Sequence, residues 1–238
     1  MFRKLACLLA ICVNFGTGWC SQAANDGPED PRPQRIATVQ NRYDFTGVNV
    51  HPKIPAWPVS TGRPSFIQTV ANGLALFAID LSQHQSTYGA SLHVYTHFGW
   101  NGKIGYTKTR DGRATLAREI IKREHDVLVL NEYLTNLSEF VFGLSTVCHS
   151  GTIRDITFEE DGSRVRAVVI LRLPNKHDVI RFCNGAPSSR YQANAFTVVF
   201  EIEGWNLPII TLYPIPDGAT MQELSDEERI VWERAATI

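Results

Sequence analysis

Two histidines four positions apart, His93 and His97, bracket Tyr95 in the segment Leu92–Trp100. The alternation of that segment reads as a strand, with His93, Tyr95 and His97 on one face and Val94, Thr96 and Phe98 on the other. A His-x-Tyr-x-His face is either an acid–base pair or the solvated side of a hairpin. On a strand the two histidine β-carbons stand ~13 Å apart, too far to share an ion. Paired ligands need His-x-His on a strand or a spacing of four on a helix. No other grouping of His, Cys and carboxylate has ligand spacing, so no metal is expected. The sequence has no phosphate-binding loop, no dinucleotide-binding glycine pattern and no Gly-x-Ser-x-Gly elbow. That argues against a nucleotide kinase, a dehydrogenase and a serine hydrolase of the common fold.

The 238 residues carry 23 Lys and Arg against 24 Asp and Glu, a net charge of −1, and 44% are hydrophobic. Such a composition fits a globular protein and excludes a disordered tail, a collagen-like repeat and a multi-span membrane protein. It offers no positive excess for a simple basic nucleic-acid binder. Residues 1–23 read as a secretory signal peptide: Arg3 and Lys4, the apolar run Leu5–Val13, then the small-x-small pattern Ser21-Gln22-Ala23. The apolar run is too short for a bilayer, which takes ~20 residues. The expectation is a secreted or periplasmic protein without a membrane span. Cys7, Cys12 and Cys20 fall in the signal, leaving Cys148 and Cys183. Two cysteines in an exported chain suggest one disulfide. Two free thiols, or a reactive Cys148–His149 pair, are the alternatives.

The elements that must position these residues read as α+β: two helices with mostly antiparallel sheets, the C-terminal half mainly β. Residues 24–35, with Pro28, Pro31 and Pro33, read as a linker ahead of a single globular domain over residues 36–238. Ile36–Val50 alternates loosely as a short strand, and His51–Pro64 reads as a loop. Ser65-Phe66-Ile67-Gln68 matches a capping box. It opens a helix to Gln83 whose Phe66, Val70, Leu74, Phe77 and Leu81 share one face. Asn101-Gly102 marks a hairpin between Leu92–Trp100 and Lys103–Thr109. A second helix over Ala114–Glu124 points Leu116, Ile120 and Ile121 inward and pairs Glu119 with Arg123. Val127–Tyr133 follows as a buried strand. Later strands are Thr152–Glu159, Arg164–Leu173, Val179–Cys183, Phe196–Glu203 and Ile209–Tyr213, and the tail from Met221 is a charged helix.

Arg42 in Asn41-Arg42-Tyr43-Asp44, Ser60-Thr61 before the capped helix, and Glu132 after an apolar run fall in a suggestive order. That order resembles the ADP-ribosylating enterotoxin A chains of the cholera and pertussis type, over Ile36–Glu139. The resemblance implies NAD as substrate and a host protein as target. It gives Arg42 the NAD pyrophosphate, held by charge-assisted bonds. Ser60 and Thr61 would orient the carboxylate, and Glu132 would stabilise the oxocarbenium-like centre as nicotinamide leaves. Gly62 stands at the third position of the family's Ser-Thr-Ser and Leu130 at that of its first acid or Gln. NAD hydrolysis or a degenerate enzyme therefore belong to this expectation. The segment Ile210-Thr211-Leu212-Tyr213-Pro214 resembles instead the last strand of small toxin ribonucleases related to barnase and the EndoU group. This implies metal-independent RNA cleavage. His93 or His97 would act as acid and base, Lys103, Lys108 or Arg113 would meet the phosphate, and Thr211 and Tyr213 would line the site. Nucleic acid is a partner on this reading alone. A secreted binding protein without catalysis is the third reading.

Overall fold

The computed structural model describes residues 32–53, 62–83, 93–100, 102–105, 110–130, 137–149, 151–202 and 207–237. The expected signal and most of the expected linker lie outside them. In chain order the elements are α1 (Arg32–Gln40), β1 (Asn49–His51), α2 (Phe66–Gln83), β2 (Phe98–Trp100), β3 (Lys103–Ile104), α3 (Arg110–Ile120), β4 (Glu124–Leu130), α4 (Leu137–Val147), β5 (Ile153–Asp161), β6 (Arg164–Cys183), β7 (Ala186–Glu201), β8 (Ile209–Ile215), β9 (Gln222–Glu223) and α5 (Asp226–Ala236). The fold is α+β, and every strand pair except β1–β5 and β2–β4 is antiparallel. No helix among the described residues is long and apolar enough to cross a membrane.

A long ribbon organises the sheet. β6 and β7 pair from Arg166↔Glu201 to Cys183↔Ala186. Asn184 and Gly185 join them, both at positive φ (53° and 87°). A two-residue turn of that hand matches the twist of the strands, and Gly reaches the conformation without strain. The two strands expected at Arg164–Leu173 and Val179–Cys183 are one. Between Arg172 and His177 the register against β7 shifts, so that several residues of β6 face the single Asn194. Such a bulge bends a strand, and Pro174 is tolerated there because no ladder donor is required of it. The Asn194 amide donates to the Leu173 carbonyl (3.2 Å) and holds the bend.

Each half of the ribbon collects its own neighbours. Arg164–Leu171 pairs with β5, which carries β1 on its far edge, and the matching part of β7 carries β8. Val179–Cys183 pairs with β4, then β2 and β3, while Ser189 and Arg190 of β7 carry β9. Alternate residues of β4 serve two cores. Leu128 and Leu130 join the larger cluster, with Phe66, Val70 and Leu74 of α2, Phe140, Val141 and Leu144 of α4, and Val169, Phe196 and Val198 of the ribbon. Val127 joins the smaller one, with Leu116 and Ile120 of α3, Ile180, Phe182 and Trp232 of α5. Each large side chain buried this way contributes about 2 kcal/mol of transfer free energy. At Gly99 a β-carbon would lie 2.8 Å from the Lys103 carbonyl oxygen and 3.0 Å from the Trp232 ring. Only glycine lets α5 seat its indole on β2.

Several expectations are corrected. Residues 32–40 are helical, so the last four residues of the expected linker and the first part of the strand expected over Ile36–Val50 belong to α1, with strand only at β1. Pro33 sits in the first turn, where its missing donor costs nothing. α2 begins as expected, with Ser65 Oγ accepting from Gln68 N (3.4 Å). The Gln68 side chain turns outward to Asn72 instead of reaching back. The second helix is α3, which ends before Ile121, and Ile121 is exposed. α4 was not anticipated, although Leu137, Phe140, Val141 and Leu144 have helical spacing. The tail first forms β9, and then α5 behind a full capping box of Ser225 and Glu228.

The expected disulfide is absent: Cys148 and Cys183 are both free. Cys148 follows α4 with its Sγ 3.9 Å from the Ile67 carbonyl, and burial pushes its thiol up to about 11. Cys183 ends β6, with Ser188 Oγ 3.2 Å from its Sγ. Cys148 lies one short connection from Ile153, which is level with Leu171. Cys183 lies roughly 35–40 Å further along β6 at ~3.3 Å per residue, whereas a disulfide needs α-carbons within ~7 Å. Peptide mapping after alkylation of the unfolded chain without reductant should therefore recover both cysteines alkylated. A Cys148–Cys183 cross-linked peptide would contradict this.

Asp217 ties β5 to β6 by accepting from Arg154 (2.6 Å) and Arg172. The two guanidiniums hold its carboxyl below the ordinary 3.8. A carboxyl lowered by folding contributes stability above its unfolded value and loses it as pH falls through the folded one. Asp217→Asn should therefore flatten the loss of stability below about pH 4, read by urea denaturation at stepped pH.

Candidate acid–base site

The segment expected as one strand is a turn followed by a strand. Residues 93–95 are helical, and Thr96 N donates to the His93 carbonyl (3.1 Å) and His97 N to the Val94 carbonyl (3.0 Å). The Thr96 hydroxyl donates to the His93 carbonyl as well (2.7 Å), which stabilises the turn against extension. β2 starts only at Phe98, where parallel pairing with Leu128 begins. The His93 and His97 rings consequently stand 5.2 Å apart at 77°. The exclusion of a shared ion rested on strand geometry and is corrected here.

Further side chains complete the cluster. Glu119, in the last turn of α3, places Oε1 3.3 Å from His93 Nδ1 and pairs through Oε2 with Lys122. His125 of β4 stacks on His97 at 4.4 Å and 28°. Tyr213 of β8 lies against the other flank of His97 at 5.4 Å. Thr211, two positions earlier on β8 and so on the same face, has a buried Oγ1 with no hydrogen-bond partner among the described residues. His97, His125 and Glu119 are buried. The His93 and Lys122 side chains keep 26% and 53% of their exposure, so the cluster opens to solvent on their side.

The proton positions follow from the carbonyls. A carbonyl only accepts, so His97 donates from Nδ1 to Asp126 O (3.0 Å) and His125 donates from Nε2 to Thr96 O (2.8 Å). Burial holds His97 well below the ordinary imidazole value of 6.5, helped by the neighbouring His125. Burial also lowers His125 and His93, and for His93 the Glu119 carboxylate opposes the effect. A neutral His97 with its proton on Nδ1 has a lone pair on Nε2 and no proton to give there. It can accept or ligate, and cannot act as an acid in that state.

The support beneath His97 is a half-buried ion pair. Arg181 of β6 donates from Nε and Nη2 to the two Asp126 oxygens, both at 2.8 Å, directly across the β4–β6 register. Its guanidinium also covers the Tyr191 ring at 5.5 Å. This fixes Asp126, and with it the carbonyl that orients His97.

Of the residues singled out from sequence, His93, His97 and Tyr213 meet, with Thr211 on the Tyr213 face. Lys103 lies in β3 and Arg113 in α3, while the cation beside the histidines is Lys122. Lys108, Ser60, Thr61 and Glu132 lie outside the described residues. Arg42 follows α1 and lines a separate cavity of about 320 Å³ with Arg35, Arg164 and Glu201. Glu119, Lys122 and His125 were not singled out as site residues. Their mark in sequence is a helix-end Glu-x-x-Lys with a histidine three positions on. The chain matches no protein-family model, no curated protein and no solved structure.

Removing one partner of a half-buried, doubly hydrogen-bonded charge pair leaves the other partly uncompensated. Arg181→Met should lower the free energy of unfolding by about 1–2 kcal/mol, between the values for exposed and buried pairs, and adding Asp126→Asn should restore part of the loss. Urea denaturation of the two variants checks this.

Proposed function

We propose that the chain is an exported ribonuclease that cleaves RNA through the 2′-hydroxyl without a metal. One observation carries the reading: His93, oriented by Glu119 and flanked by Lys122, opens to solvent beside the His97–Tyr213 contact. The Thr-x-Tyr-Pro strand that resembles the toxin ribonucleases supplies Tyr213.

The geometry supports the following roles. With Nδ1 bonded to Glu119, His93 presents Nε2 as the base that takes the 2′-hydroxyl proton. Attack on phosphorus forms the 2′,3′-cyclic phosphate and breaks the bond to the 5′-oxygen. The Lys122 ammonium meets the phosphate charge as it builds. Tyr213 supplies the proton to the leaving oxygen, since His97 has none at Nε2. His97 and His125 act as positioning residues that hold the wall. This differs from the sequence expectation in giving the acid to Tyr213 and the cation to Lys122.

Single-stranded RNA incubated with the purified protein and a chelator should be cut to cyclic-phosphate ends. His93→Ala should slow the cut ~10²–10⁴-fold, and Lys122→Met less. Intact RNA after long incubation overturns the reading. Nicotinamide release from NAD, stopped by Glu132→Gln, would favour the transferase resemblance in its place, and neither activity would favour a binding protein.

A further inference from the structure

We propose that His93, His97 and Glu119 also form a binding site for one transition-metal ion, matched best by Zn²⁺, and that the metal competes with Lys122 for the Glu119 carboxylate. One ligand atom from each residue lies within 4.8 Å of the other two. Bonds of ~2.0–2.1 Å at tetrahedral angles place ligand atoms ~3.3 Å apart, and His93 Nδ1 already stands 3.3 Å from Glu119 Oε1. His97 has the second feature of a ligand histidine. Its Nδ1 is committed to a backbone carbonyl, which fixes the ring and leaves Nε2 for the ion. Two imidazoles and one carboxylate suit Zn²⁺, while Mg²⁺ and Ca²⁺ prefer all-oxygen sets.

Binding has a consequence that rests on the ribonuclease reading. An ion on His93 Nδ1 leaves the one remaining ring proton on Nε2, the atom that serves as base. The metal-bound protein therefore cannot start the cleavage, and Zn²⁺ acts as an inhibitor.

The test uses the full chain, stripped with a chelator and titrated with Co²⁺, followed by displacement with Zn²⁺. The expected result is 1:1 binding with the visible absorption of a tetrahedral cobalt site. His93→Ala should weaken binding at least ~10-fold, because even outer-shell losses cost that much. Lys122→Met should tighten it by several-fold, since it frees the carboxylate. Both side chains are partly exposed, so both variants should fold, and circular dichroism confirms it. Absence of the cobalt bands, or affinity unmoved by both variants, overturns the site. Cobalt bands with RNA cleavage insensitive to Zn²⁺ overturn the inhibition. Cobalt bands in a protein that cleaves no RNA leave the metal site standing and remove the ribonuclease reading.

Discussion

The pairing of β6 with β7 is the interaction on which the other contacts depend, because both halves of the sheet are built on its two edges. β5 and β4 share one edge of β6 without touching the same residues, and β8 and β9 divide the edge of β7 likewise. The bulge at Pro174–Lys176 bends the ribbon between these sets. β4 runs on past its last partner, Val179, and reaches β8 instead. That approach is what brings Tyr213 to His97.

Within the cluster the governing constraint is a carboxylate taken out of water. Glu119 is buried, and a buried charge persists only when paired and hydrogen-bonded. Lys122 and His93 meet that need from opposite sides. The two deeper histidines bond backbone carbonyls, His97 that of Asp126 on β4 and His125 that of Thr96 in the turn before β2. Turn, strand and helix are thus locked by polar contacts in a region that apolar packing alone would leave free to slide.

The legible parts of the fold were those whose signals are local. The Ser65 cap and the apolar spacing of Phe66 to Leu81 specify α2, and Asn101-Gly102 specifies a hairpin. Asn184-Gly185 is an equally plain turn signal that joins β6 to β7. Pro174-Asn175 misleads, since a proline beside an asparagine reads as a break between strands, and only the partner strand shows that the chain continues through it. The histidine segment is ambiguous for a simpler reason. A spacing of four satisfies a period of two and nearly satisfies 3.6, so His93 with His97 and Val94 with Phe98 fit either conformation. Tertiary pairing, which starts at Phe98, decides between them. Glu119 reached the site from another helix, and no spacing within the histidine segment reports that.

The seating of Trp232 on Gly99 carries a consequence for biosynthesis. β2, α3 and β4 emerge from the ribosome well before α5, yet the smaller core lacks its largest side chain until position 232 has been added. Ile104, Leu116, Val127 and Phe182 therefore complete their packing only after synthesis has nearly ended.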